Sequence, residues 1–181
     1  MEVIFLKELA DKFIVGGDEI PYYHFIFKGE LYKYLRIRNS KLLADGPRIN
    51  ELFLRESFEQ FDFEHSFFAF KKVVMIIIHY FTDYKIRDLD NNSYKPLIDG
   101  IKKTGIIQDD SWQELSLMFF GNIITSVDQT EKIETFVVPQ DYLMEFLSAD
   151  VLSSDIFKNR IEGNIFLSNK NDEQKSESNY W

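Results

Sequence analysis

The sequence predicts an α+β fold in which one mixed β-sheet is flanked by helices. The run from 73 to 81 is almost entirely apolar and rich in β-branched residues, which is typical of a strand buried on both faces. Apolar residues at helical spacing follow at 94–101, and an alternating segment follows at 115–119. A strand, a helix and a second strand in this order can return the chain beside its starting point.

Composition excludes several classes of protein. The 181 residues are enough for one well-packed domain with an appendage, and a hydrophobic content of 45% with 18 Phe indicates a real core. The absence of cysteine excludes disulfides, cysteine-based zinc sites and thiol catalysis. Because no signal peptide or membrane span is recognisable, we expect a soluble cytoplasmic protein with no membrane partner.

The remaining elements follow from local signals. We expect strands on both sides of the turn at Gly16–Asp18, a helix from Pro47 to Phe61, and a hairpin formed by 112–126 and 132–138. The predicted domains are 1–140, a helical C-terminal extension at 141–168 and a disordered polar tail at 169–181. The extension could clasp a partner subunit, recruit another protein or shield a basic site.

The helix after the apolar strand has recognisable ends. Asn92 or Ser93 can cap it, and Pro96 falls in the first turn, where its missing N–H costs nothing. Its predicted apolar stripe consists of Tyr94, Leu97, Ile98 and Ile101. Lys95, Asp99 and Lys102 form a polar row beside that stripe, and Gly105 suits a left-handed position past the helix.

Acidic residues stand on both sides of this helix. In extended chain Asp88 and Asp90 face the same way, so their carboxylates repel unless one is protonated or a cation lies between them. The return of the chain would bring Asp110 next to them. Three carboxylates and Lys95 at one strand end suit binding of a hard cation and metal-assisted phosphoryl chemistry. Taken singly, each of these pieces is more typical of a solvated loop end, an exposed helix face or a turn.

The joint spacing resembles the RusA-like Holliday junction resolvases. The residues that carry this resemblance are Asp88-Leu89-Asp90-Asn91, Lys95, Asp99, Gly105 and Asp109-Asp110. The resemblance implies a RusA-like resolvase fold in which Asp88, Asp90 and Asp110 bind Mg²⁺ and take part in catalysis. It also implies that Lys95 is the catalytic lysine and that Arg87 is the basic residue ahead of the acidic pair.

The activity implied by the resemblance is that of a Mg²⁺-dependent endodeoxyribonuclease acting in DNA recombination and repair. Such an enzyme would be a homodimer that places two sites on opposite strands of a four-way DNA junction. One departure is visible, because the gap from Asp90 to Lys95 is one residue longer than the family pattern. The alternative is a catalytically weak or inactive RusA-like binding or regulatory module of a phage or mobile element.

Charge bears on both alternatives. The net charge of −9 is unlike that of most DNA-binding proteins, yet residues 71–110 carry seven Lys and Arg against six Asp and Glu. A second basic segment at 28–48 alternates cations with tyrosines, and its predicted DNA contacts are Lys33, Arg36, Arg38 and Lys41. The same segment equally fits a solvated strand edge whose charges block aggregation.

Overall fold

The computed structural model describes residues 10–28, 35, 46–65, 67–82, 93–108, 111, 113–124 and 130–149. Within these residues the protein has a mixed sheet of five strands in the order β1-β2-β5-β3-β4. The strands are β1 (Asp11–Val15), β2 (Asp18–Lys28), β3 (Val73–Phe81), β4 (Leu115–Ile123) and β5 (Lys132–Pro139). The helices are α1 (Gly46–Gln60), α2 (Lys95–Lys102) and α3 (Leu143–Ser148), and a 3-10 turn covers Gln140–Tyr142. The predicted α+β class is therefore confirmed.

The first two strands form a tight hairpin. Gly16 and Gly17 both have positive φ, at 60° and 101°, and they connect Val15 to Asp18, which are paired across the ladder. Two consecutive residues with positive φ match the twist of the strands that they join, and glycine adopts this conformation at little cost. The turn predicted at this position is confirmed.

The apolar run at 73–81 forms the strand β3 in the interior of the sheet. All but one of its nine residues are buried, with Tyr80 partly exposed. On one side β3 pairs antiparallel with β5, and on the other it pairs in parallel with β4. Since α2 lies between β3 and β4 in the chain, the predicted strand-helix-strand return is confirmed.

The predicted hairpin between β4 and β5 is wrong. The two strands lie on opposite sides of β3, so the connection between them crosses from one side of β3 to the other. The physical reason is burial, because β5 is buried on both faces over Ile133–Val138 and therefore belongs inside the sheet. In contrast, β4 carries Ser116 and leaves Leu117 and Phe119 partly exposed, as suits an outer strand.

Aromatic side chains dominate the core between the sheet and the helices. Tyr23, Phe25 and Phe27 alternate along β2 and point toward the same face. The ring of Phe25 contacts Phe61 edge-on at 5.0 Å, and the ring of Phe27 contacts Phe53 of α1 at 5.2 Å. Such edge-to-face pairs stabilise the core beyond the area that they bury.

The helix α2 begins differently from the prediction. Its cap residue is Tyr94, whose side chain makes no capping hydrogen bond, so the expected cap by Asn92 or Ser93 is wrong. The N–H of Ser93 instead donates to the carbonyl oxygen of Leu35 at 2.6 Å. Pro96 does lie in the first turn, and Gly105 has the predicted left-handed conformation with φ of 88°. The end of the helix was thus predicted better than its start.

The helices α1 and α2 approach each other closely at Gly100. A Cβ atom at this position would lie 2.6 Å from the Cβ atom of Phe53. The same atom would lie 3.1 Å from the carbonyl oxygen of Asn50 and 3.1 Å from the backbone nitrogen of Leu54. Backbone atoms cannot rotate away as a side chain can, so the crossing requires glycine at this position.

Gly100→Ala is expected to destabilise the protein by about 1–3 kcal/mol, because the added methyl group forces the two helices apart. The direction of the change in unfolding free energy is informative, since Gly→Ala inside a helix otherwise stabilises by about 0.5–1 kcal/mol. Urea unfolding followed by circular dichroism measures the change. Lys103→Ala, at the exposed end of the same helix, is the control. A Gly100→Ala variant that is as stable as the wild type, or more stable, would contradict the close contact of the two helices.

On the face of the sheet opposite the helices, a carboxylate is held among basic and aromatic groups. Glu134 accepts hydrogen bonds from Lys132 Nζ at 2.6 Å and from Tyr80 Oη at 3.0 Å. The Nε2 atom of His24 lies 3.7 Å away. Burial raises the pKa of the Glu134 carboxyl, but the basic neighbours His24 and Lys132 more than offset it and hold the pKa at about 2.

The lowered pKa makes Glu134 a source of pH-dependent stability. Its contribution is fully present above the ordinary pKa of 4.5 and is lost as pH falls toward about 2. Glu134→Gln is therefore expected to lower the free energy of unfolding at neutral pH by roughly 3 kcal/mol, with the difference from wild type vanishing in strong acid. Urea titrations at a series of pH values test this, with the exposed Glu51→Gln as control. An equal, pH-independent difference for both variants would refute the assignment.

The chain divides into two compact units, Met1–Leu143 and Met144–Trp181. Of the predicted extension at 141–168, the structure describes the 3-10 turn and α3; the predicted tail at 169–181 lies outside the described residues. None of the described helices is both long and apolar enough to cross a membrane.

Candidate functional site

The helix α2 presents the predicted polar row to solvent. The amine of Lys95 donates to Asp99 Oδ1 at 3.1 Å, one helical turn along, and the Lys95 side chain is 72% exposed. The Asp99 side chain is 21% exposed, so only the lysine end of the pair is freely accessible. The structure therefore leaves Lys95 able to approach a ligand while one carboxylate holds its position.

The other oxygen of Asp99 is held by a residue that sequence reasoning missed. The Nδ2 atom of Asn50, in α1, donates to Asp99 Oδ2 at 3.2 Å. This bond joins the two helices beside their close contact at Gly100. The only signal in the sequence is a polar residue directly after the buried Ile49, which does not identify a partner some fifty residues away.

A cleft opens at the C-terminal end of α2, with a volume of about 550 Å³. It is lined by Asn50, Asp99, Lys102, Lys103, Gly105, Ile107 and Gln108. Among the described residues of this lining, the charged side chains are Lys102, Lys103 and Asp99, and Asp99 is paired with Lys95. The exposed Lys103 amine in this lining can attract an anionic group. Gln108, in its wall, directly precedes the predicted acidic pair Asp109-Asp110 in the chain.

The N-terminal end of α2 lies against a buried histidine. Tyr94 stacks on Phe119 with the ring centroids 4.9 Å apart, and its hydroxyl lies 3.5 Å from His79 Nδ1. The Nε2 atom of His79 lies 3.3 Å from Glu131 Oε1, within ion-pair distance but outside hydrogen-bond geometry. His79 is 1% exposed, so its prediction as a core residue is confirmed.

The predicted metal ligands and DNA contacts fall outside the described residues. They are Arg87, Asp88, Asp90 and Asp110, together with Lys33, Arg36, Arg38 and Lys41. Of the predicted site residues, the structure describes Lys95. Among the residues that it describes, no three His, Asp or Glu side chains are grouped so that they could hold a metal ion.

The register of β3 and β4 determines at which end of the strands the segments that carry Asp88 and Asp110 join the sheet. Phe81, at the end of β3 that leads toward Asp88, is paired with Ile123. Leu115, which follows Asp110 in the chain, is paired with Val73 at the opposite end of β3. The two ends of a strand spanning 73–81 are roughly 26 Å apart. A shared metal site therefore requires the connecting segments to cover much of this distance.

The donor chemistry of the predicted ligands fits Mg²⁺. Asp88, Asp90 and Asp110 would supply only carboxylate oxygens, which hard divalent cations prefer. Asp99, the acidic residue of the motif that the structure describes, does not belong to this set. Both of its oxygens already accept hydrogen bonds, one from Lys95 and one from Asn50.

Comparison with known proteins does not assign the chain to a family. No family model matches it, and no curated protein matches it. The resemblance to RusA-like resolvases thus depends on the spacing of the motif residues and stays a prediction.

Two hydrogen bonds to Asp99 are expected to differ in strength. In double-mutant cycles with alanine, the half-buried Asn50–Asp99 pair should show a coupling energy of about 1–2 kcal/mol. The more exposed Lys95–Asp99 pair should show about 0.3–0.5 kcal/mol, because water screens it. Urea unfolding of the single and double variants measures both values. A Lys95–Asp99 coupling as large as the other would contradict the solvent-exposed position of Lys95.

Proposed function

We propose that the protein is a Mg²⁺-dependent, structure-selective endodeoxyribonuclease that cuts four-way DNA junctions. The observation that supports this best is the position of α2 in the parallel crossover between β3 and β4. This helix presents Lys95 next to Asp99, and Asp99 lines a cleft together with Lys102 and Lys103. The spacing of these two residues from the flanking carboxylates resembles that of the RusA-like family.

In this proposal each residue has a distinct role. Asp88, Asp90 and Asp110 would hold Mg²⁺, which supplies a Lewis acid for the phosphate and lowers the pKa of a bound water. The exposed amine of Lys95 neutralises negative charge that develops on the phosphate. Asp99 is a positioning residue, since it holds Lys95 and is itself held by Asn50.

The proposed enzyme acts on branched DNA as a homodimer. Two strands of a four-way junction must be cut to resolve it, and one chain carries a single set of the motif residues. A symmetric pair of chains supplies two such sets, related by a two-fold axis as the junction arms are. Placement in the cytoplasm is part of the same proposal.

Two observations favour a second candidate, a RusA-like binding or regulatory module without strong catalysis. The net charge of −9 opposes extended contact with phosphates. In addition, the segment that leads to Asp88 begins after Phe81, whereas the segment that contains Asp110 ends at Leu115, which is paired with Val73 at the opposite end of β3. A module of this kind binds its partner without cutting DNA, and the C-terminal extension is a candidate for contact with another protein.

Asp90→Asn is expected to reduce cleavage of a labelled four-way junction at least a hundredfold in the presence of Mg²⁺, because it removes one negative ligand oxygen. Folding and binding of the junction, measured by circular dichroism and by gel shift in EDTA, should be largely preserved. Asp18→Asn, at the exposed start of β2, is the matched control and should cleave as the wild type does.

The outcomes separate the two candidates. Paired, Mg²⁺-dependent nicks by the wild type that Asp90→Asn abolishes support the nuclease. Undiminished cleavage by Asp90→Asn shows that Asp90 is not a metal ligand and overturns the assignment. A wild-type protein that binds the junction without nicking it, with and without Mg²⁺, supports the binding module instead.

A further inference from the structure

Three phenylalanine rings form a partly exposed row at the end of α1. Phe58 contacts Phe63 edge-on with the centroids 5.1 Å apart, and Phe63 contacts Phe67 at 6.4 Å. Phe58 is 39% exposed and Phe67 is 48% exposed. Exposing large rings costs free energy that burial would recover, so a cluster of them at the surface indicates a contact site.

The backbone that carries Phe67 is firmly held. The hydroxyl of Tyr23 accepts a hydrogen bond from the N–H of Phe68 at 2.8 Å and donates one to the Phe68 carbonyl at 3.2 Å. Two residues on, the N–H of Phe70 donates to the Ile106 carbonyl at 2.8 Å. These bonds fix the segment against the sheet, so the exposed ring is presented from a rigid support. Little conformational entropy is then lost when a ligand stacks on it.

Phe67 lies beside the cleft at the end of α2. A methyl group at Gly105 would come within 3.5 Å of Phe67 Cζ, and Gly105 is one of the residues that line the cleft. Lys103, which is exposed, lines the same cleft. Gly105 thus connects the exposed Phe67 ring with the cleft that Lys103 lines. This pair of groups matches the two parts of a nucleotide, the base and the phosphate.

We propose that Phe67 and Lys103 form a subsite for an unpaired nucleotide, with the base stacked on the Phe67 ring and the phosphate held by Lys103. The proposal rests on the proposed function for the identity of the ligand as DNA. It narrows the substrate to branched DNA that offers at least one unstacked nucleotide next to the cut. Gln108, which lines the cleft, directly precedes the predicted acidic pair in the chain.

The test measures binding of fluorescein-labelled single-stranded oligothymidylate to the full chain by anisotropy, at low salt in EDTA. Phe67→Ala should weaken binding by roughly tenfold, the typical loss when one base–aromatic stack is removed. Phe67→Trp, which keeps a stacking face, should bind at least as tightly as the wild type. Lys103→Gln should weaken binding and reduce the slope of log affinity against log salt by about 0.7, the value for one phosphate contact with a single strand.

Matched controls lie at the far edge of the sheet on β1. Ile14→Ala removes another exposed apolar side chain, and Lys12→Gln removes another exposed cation. Neither should change the affinity by more than about twofold. Unchanged binding by Phe67→Ala overturns the subsite, as does a wild-type protein that does not bind the oligonucleotide. Circular dichroism checks that each variant is folded. If Phe67→Ala does not fold, binding by Phe67→Trp still tests the stacking.

Failure of the subsite can be told apart from failure of the nuclease, because binding is measured without Mg²⁺ and cleavage with it. If Phe67→Ala binds the oligonucleotide as the wild type does, and the protein still cleaves junctions, the subsite alone is overturned. Oligonucleotide binding that depends on Phe67, in a protein that cleaves no junction, overturns the nuclease and retains the subsite as part of a binding module.

Discussion

The parallel pairing of β3 with β4 is the constraint on which the rest of the structure depends. A parallel neighbour requires the chain to cross the sheet and return, and α2 is the element that makes this crossing. The close contact at Gly100 then holds α2 against α1. Because the crossover helix carries Lys95 and Asp99, the pairing of two strands determines where the candidate site lies. The cleft and Phe67 lie at one end of this helix, and the buried His79 lies at the other.

Local patterns predicted the elements whose signals are contained in a few neighbouring residues. The unbroken apolar run predicted β3, the helical spacing of Tyr94, Leu97 and Ile101 predicted the buried face of α2, and Gly105 predicted a left-handed residue. The pairing partner of each strand, in contrast, does not follow from such local patterns. The segments at 112–126 and 132–138 are close in the chain, which favours a hairpin, yet burial of β5 on both faces outweighs that proximity.

The contacts of the candidate site are likewise of two kinds, local ones that the sequence predicts and long-range ones that it does not. The helical row of Lys95 and Asp99 follows from a spacing of four residues, and the structure shows the expected ion pair. The contact of Asn50 with Asp99 and the neighbourhood of Phe67 and Gly105 link segments that are far apart in the chain. Such contacts depend on the angle at which α1 crosses α2 and on the hydrogen bonds of Tyr23. No spacing within one segment encodes either quantity.

Under the proposed function, the charge of the protein makes short-range contacts decide how a nucleic acid would be recognised. With a net charge of −9, the chain as a whole repels phosphates at long range. At physiological ionic strength this repulsion is screened beyond about 8 Å, so a ligand that reaches the cleft responds mainly to the groups that line it. Of the described lining residues, the exposed Lys103 is available to such a ligand, and the carboxylate of Asp99 is paired with Lys95. A stacking ring such as Phe67 adds affinity that does not depend on charge, which is the form of recognition that an acidic protein can best use.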